Sequence, residues 1–116
     1  MEFFRQNWPL ILLISWFAYR WLRTQNLKKK LPQLKKQGAI LLDVRSPGEF
    51  QAGHASGSVN IPLQELAQRV QELPKEVPIA VACASGTRSG MARLLLKRHG
   101  FKAVYNLGNW SNLETP

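Results

Sequence analysis

The chain has 116 residues, enough for one domain and an appendage, and its 16 Lys and Arg against 7 Asp and Glu give a net charge of +9. A single cysteine excludes an intramolecular disulfide, and His54 and His99 sit near no partner ligand, so neither a metal nor a cofactor is expected. A pI near 10.3 would suit a nucleic-acid binder, but the densest basic block follows an apolar segment directly, which points to a membrane surface and away from nucleic acid.

The apolar segment comes first in the chain. Trp8 to Tyr19 carries no charge, and extension from Phe3 to Leu22 reaches spanning length if Arg5 and Arg20 snorkel to the two interfaces. Trp8, Trp16, Tyr19 and Trp21 are interfacial aromatics, and Pro9 is tolerated in a first helical turn. No small-residue cleavage site follows the apolar core, which argues against a signal peptide. Leu10–Ile14 is apolar all round, which argues against a helix lying in the interface. The expectation is therefore one transmembrane helix over 1–24, followed by a basic linker over 25–38 with a short helical turn bearing Leu31 and Leu34. Six of the sixteen basic residues fall in the first thirty positions, and all but Arg5 lie after the apolar core. The positive-inside rule then puts the rest of the chain in the cytoplasm, on the inner face of the inner membrane, with lipid as a partner of the helix.

The domain is expected over 39–116. Ala39–Val44 is an apolar run ending in charge, read as a buried strand. Ser46 and Pro47 start a short helix, and Ser58–Ile61 forms a second strand ended by Pro62. Apolar residues at Leu63, Leu66, Ala67, Val70 and Leu73 recur at helical spacing. Pro78–Ala82 is the next strand, Ser89–His99 a helix stopped by Gly100, and Ala103–Leu107 a last strand. Alternating strands and helices predict an α/β fold, an open parallel sheet flanked by helices. Ligands of such sheets gather at strand C-terminal ends, where both Asp43 and Cys83 fall.

Cys83 leaves its strand into a loop of small residues, Ala84-Ser85-Gly86-Thr87, and a helix follows at once. A helix N-terminus favours nearby negative charge by about 0.3–1 kcal/mol, so the thiol there is more acidic than a free one. Arg88 is expected to add to that effect. Gly86 lets the backbone curl with its N–H groups inward. The competing reading of a lone cysteine is an inert buried residue.

The span from Lys35 to Trp110 resembles a single-domain rhodanese. The resemblance rests on Asp43-Val44-Arg45 with Glu49-Phe50, on Gly53-His54, on Gly57-Ser58-Val59-Asn60-Ile61-Pro62, and on the loop Cys83-Ala84-Ser85-Gly86-Thr87-Arg88-Ser89. It implies a sulfurtransferase in which Cys83 takes sulfane sulfur from a donor such as thiosulfate and holds it as a persulfide. A thiophilic acceptor, cyanide or a thiol, then removes the sulfur. By the same carry-over the backbone of Ala84, Ser85, Gly86, Thr87 and Arg88 cradles the persulfide, and Asp43 and Arg45 position the loop. Residues 84 to 87 include no base, which favours a polysulfide or a protein persulfide over thiosulfate as donor. Gly108-Asn109-Trp110 stands where the family usually has a longer turn and helix, with Trp110 expected as a plug. Arg45 has a bland alternative, a surface ion pair with Glu49.

Two other functions compete with the enzyme. One is a relay or docking module for a membrane partner that does not turn over alone. The other is a phosphatase or arsenate reductase, which places five residues between cysteine and arginine where four intervene here.

Overall fold

The computed structural model describes residues 2–114. Its centre is a four-stranded sheet in the order β2-β1-β3-β4, with every neighbouring pair parallel. The strands are β1 (Ile40–Asp43), β2 (Val59–Asn60), β3 (Ile79–Cys83) and β4 (Val104–Asn109). Each lies within a residue or two of its expected place. All five residues of β3 are buried, because the central strand of a parallel sheet is covered on both faces.

The helices are α1 (Glu2–Lys36), α2 (Pro47–Ala52), α3 (Leu63–Arg69) and α4 (Thr87–Arg98), of which α1, α3 and α4 supply that cover. One face packs Leu42, Val44, Val81 and Cys83 against Leu66 of α3 and Ala92 and Leu96 of α4. The other packs Leu41, Ala80, Ala82 and Leu107 against Leu31 of α1 and Leu113 of a closing 3-10 turn, Trp110–Glu114. Pro47 occupies the first turn of α2, and Ser46 caps it: the Ser46 hydroxyl accepts from the Glu49 N–H while the Glu49 side chain accepts from the Ser46 N–H. The helix expected over Leu63–Leu73 is α-helical only to Arg69 and tightens into a 3-10 turn over Val70–Glu72 before Pro74.

The N-terminal third differs from expectation. Most of the expected anchor over 1–24 and of the linker over 25–38 falls in a single helix, Glu2–Lys36, of 35 residues and about 52 Å. Its last turns belong to the domain, since Leu31 and Leu34 are buried and Leu27 packs beside them. Pro9 lies two turns inside the helix, not in its first turn. No helix among the described residues is long and apolar enough to cross a membrane. The physical reason is the charge pattern: Arg5, Gln6 and Asn7 precede the apolar core, and Arg20 and Arg23 close it after twelve uncharged residues. The large apolar side chains from Phe3 to Leu22 are nevertheless mostly half or more exposed, 50–65% at Leu13, Trp8 and Phe3 among others.

Candidate active site

Strand β3 delivers Cys83 to the C-terminal edge of the sheet, and the chain turns at Gly86 into α4. Gly86 has φ +96°, the left-handed region in which a side chain is strained. A β-carbon there would also come within 3.4 Å of the Gly108 backbone and of the Arg20 guanidinium. The turn lets the Gly86 N–H donate to Cys83 Sγ at 2.8 Å. Thr87, Arg88 and Ser89 open α4, whose first N–H groups have no partner within the helix.

Ser89 completes the thiol's surroundings. Its Oγ lies 3.4 Å from Sγ, and it is fully buried. The Ser89 hydroxyl donates to Asn106 Oδ1 at 2.6 Å. Asn106 is itself clamped, accepting from the Gly108 N–H at 3.0 Å and donating to the Gly86 carbonyl at 3.1 Å. Asn109 ties down the other end of the loop by donating to the Ala84 carbonyl at 2.8 Å. Burial pushes the Cys83 thiol up, but the hydrogen bonds from the Ser89 side chain and from the N–H groups of Ser89, Gly86 and Ser85 outweigh it. The pKa is held below its ordinary value of 9.0.

The two expected supporting residues, Asp43 and Arg45, form a buried bidentate pair. Arg45 Nε donates to both Asp43 oxygens at 2.9 and 3.0 Å, and Nη2 donates to Oδ2 at 2.7 Å. Nη2 also donates to the Gly53 carbonyl, and the guanidinium stacks 4.7 Å from the Trp110 ring. Asn60 donates to the carbonyls of Asp43 and Arg45, which fastens β2 to the same corner. Arg45 is thus taken up by Asp43, and the surface pair between Arg45 and Glu49 is not formed.

Glu49 pairs with Arg88 instead, at 2.7 and 3.1 Å. The Arg88 guanidinium holds the Glu49 carboxyl at about 2, with help from the Ser46 N–H. Arg88 is therefore committed to a carboxylate, and hydrogen bonds from the loop and from Ser89 take the larger part in lowering the Cys83 pKa. His54 stacks on Phe50 at 3.8 Å and donates through Nδ1 to the Phe50 carbonyl; His99 donates likewise to the Leu95 carbonyl at the end of α4. Among the described residues, no group of His, Cys, Asp and Glu is arranged to hold a metal ion. Ser89, Asn106, Glu49 and Arg20 all touch this region without having been assigned a part in it from sequence.

A parallel α/β sheet with a cysteine in a tight loop between β3 and α4 defines the class, and residues 24–113 match the rhodanese-like domain. The chain belongs to that family. It is 35% identical over 98 residues to the protein YqhL of Bacillus subtilis (strain 168), covering 84% of this chain and 78% of YqhL. Over 77 residues it is 34% identical to the thiosulfate sulfurtransferase PspE of Escherichia coli (strain K12), covering 65% of this chain and 74% of PspE. Among solved structures, a rhodanese with anions from E. coli superposes with a TM-score of 0.62 at 32% identity, over 67% of this chain and 94% of that one. Reduced Bacillus anthracis CoADR-RHD gives a TM-score of 0.65 at 33% identity over 75% of this chain, which spans only 15% of that longer protein.

Proposed function

We propose that the protein is a rhodanese-type sulfurtransferase that carries sulfane sulfur as a persulfide on Cys83. The observation that carries this reading is the Cys83 sulfur held by the Gly86 N–H and beside Ser89 at the opening of α4. Similarity to a protein named thiosulfate sulfurtransferase supports the same class of chemistry.

In the first step the Cys83 thiolate attacks the outer sulfur of thiosulfate. A Cys–S–S⁻ persulfide forms, and sulfite leaves with the electron pair of the broken S–S bond. In the second step cyanide or a thiolate attacks the outer persulfide sulfur, and Cys83 departs again as thiolate. Neither step needs a proton donor or an oxidant. The chain's task is to hold negative charge at two successive sulfur positions, which preorganised N–H donors of Ala84 to Arg88 do without reorganising. Asp43 and Arg45 act from behind, fixing the strand end beneath the loop.

Thiocyanate formation from thiosulfate and cyanide, measured for the full chain and for Cys83→Ala, tests the proposal. Activity that vanishes in a variant with an unchanged thermal melt supports it; equal activity in both sinks it. Full burial of Cys83 favours a second reading, a relay that accepts sulfur only when a partner opens the loop. In that case a persulfide appears by intact mass only after mixing with a persulfidated protein.

The exposed apolar surface from Phe3 to Leu22 and the basic residues after it further support attachment to lipid at the cytoplasmic face of the inner membrane. Flotation with anionic vesicles that is lost in Leu12→Asp/Ile14→Asp would support that placement. Flotation equal to the wild type in that variant would overturn it.

A further inference from the structure

The groove between α1 and α4 lies outside the sulfur chemistry. Cys83 takes no part in lining it, because the thiol is fully buried among the residues packed against α3 and α4. Ser85, Gly86 and Thr87 are all that the cysteine loop contributes. The groove has a volume of about 1060 Å³, at the upper end of the roughly 300–1,000 Å³ that small-molecule sites enclose.

Two of its properties point to one kind of occupant. The first is charge. Arg20, Arg23 and Lys30 of α1 and Arg93 of α4 line the groove, and no Asp or Glu does among the described residues. None of the four has a carboxylate partner there. Arg20 lies over the Trp16 ring at 4.9 Å, Lys30 lies over the Tyr105 ring at 5.6 Å, and Arg93 Nε donates to the Val104 carbonyl at 2.9 Å. Those contacts fix where the cations stand and leave their charge uncompensated. The second property is an apolar rim. Met91 and Leu94, one turn apart on α4, are more than half exposed, and at Trp16 the groove runs into the exposed apolar length of α1. An inorganic anion or an acidic peptide answers the cations and leaves this rim in water. An anionic phospholipid answers both, since its phosphate and its acyl chains are joined in one molecule.

We propose, on the footing of the lipid attachment set out above, that the groove binds an anionic phospholipid. Arg20 and Arg23 take its phosphate, and Met91, Leu94 and Trp16 meet the start of its acyl chains. The chains continue along α1 toward Trp8 and Phe3, side chains that the domain leaves exposed. By itself α1 would fasten the domain to a bilayer without fixing which face it turns. A lipid shared between α1 and α4 turns the α4 face, with the loop that opens α4, toward the membrane surface.

The test is native mass spectrometry of the full chain in detergent, titrated with phosphatidylglycerol and, separately, with phosphatidylcholine. Phosphatidylglycerol binds the wild type about tenfold more tightly. Arg20→Gln/Arg23→Gln loses about tenfold in affinity for it, and Arg20→Lys/Arg23→Lys recovers most of that loss. Lys29→Gln/Lys36→Gln removes the same charge from exposed positions outside the groove and stays within about twofold of wild type. Met91→Gln/Leu94→Gln also weakens the lipid, and sn-glycerol 3-phosphate does not displace it. Equal losses in the two charge-removing variants, equal affinity for the two lipids, or displacement by glycerol phosphate overturns the proposal. Displacement by hexaglutamate overturns it in favour of an acidic polypeptide. Flotation of the wild type with vesicles reads the attachment separately. A chain that floats but shows no groove-dependent lipid overturns the groove proposal alone, and a chain that floats with neither lipid overturns the attachment itself.

Discussion

Ser89 donates its hydroxyl proton to Asn106, seventeen residues on in sequence, from an oxygen that lies 3.4 Å from the Cys83 sulfur. Asn106 cannot turn to release it, because its oxygen also accepts from Gly108 and its nitrogen donates to Gly86. While Cys83 is a thiol, its S–H has the Ser89 oxygen as acceptor. Once Cys83 is a thiolate, the Ser89 proton serves it better than it serves Asn106. The acidity of the Cys83 thiol thus depends in part on a contest for a single hydrogen, beside the backbone N–H groups of the loop.

Ser89→Ala removes that hydrogen, so burial acts on the thiol with less opposition and the pKa of Cys83 rises. The pH profile of iodoacetamide alkylation moves to higher pH, and the rate near neutrality falls about tenfold. Ser89→Thr keeps the hydroxyl and recovers the profile. An unmoved profile in Ser89→Ala would show that the backbone N–H groups suffice.

Asp43→Asn leaves the Arg45 guanidinium buried against a neutral amide. One-sided loss of a buried pair costs about 3–5 kcal/mol, which in a domain of this size lowers the melting temperature by about 10 °C or more. Circular dichroism melts at neutral pH measure it. A change of only a degree or two would mean that Gly53 and Trp110 alone satisfy Arg45.

The Glu49–Arg88 pair gives the fold a specific acid dependence. Glu49 is held at about 2 against an ordinary 4.5. A depressed carboxyl contributes stability that is fully present above 4.5 and is lost as pH falls through about 2. Glu49→Gln lacks this contribution at every pH. Urea midpoints of wild type and variant therefore differ at pH 6 and converge as pH falls through about 2. High salt narrows the difference at pH 6, since both side chains are partly exposed.

The two ends of α1 respond oppositely to the same substitution. Leu31→Ala cuts into a fully buried core position and costs about 2–5 kcal/mol. Leu13→Ala, at a half-exposed position, stays within about 0.5 kcal/mol in solution. Urea unfolding of the full chain checks both. A fragment starting at Gln37 lacks Leu27, Leu31 and Leu34 and is expected to unfold at lower urea than one starting at Arg23.

The strands were legible because each is a short apolar run bounded by a charge, a Pro or a Gly, and a buried parallel sheet admits little else. The cysteine loop was legible for the same reason: small residues between such a run and a helix permit one kind of turn. Leu31 and Leu34 were legible only as a short helical turn within a linker, since a cluster of lysines and an internal Pro32 hides the longer helix that also carries Leu27. Their spacing of three and four is helical, and only the uncovered face of Ala80, Ala82 and Leu107 shows why that helix is required. Side-chain pairing was the least legible. Arg45 and Glu49 are four apart but Arg45 precedes the helix, so the helical neighbour rule does not reach it. Glu49 finds Arg88 from 39 positions away, and Ser89 finds Asn106 from 17, with no periodicity to announce either.

Because α1 runs unbroken from its exposed apolar end to Leu31, it behaves as a shaft and not as a tether. Each residue of an α-helix advances about 1.5 Å and turns about 100°. One residue inserted between Thr24 and Leu27 would keep the composition of both ends and yet swing Arg20 about a quarter turn away from Gly86. Whatever grips the N-terminal end also fixes the heading of the cysteine loop, so the angular phase of this helix is part of the site.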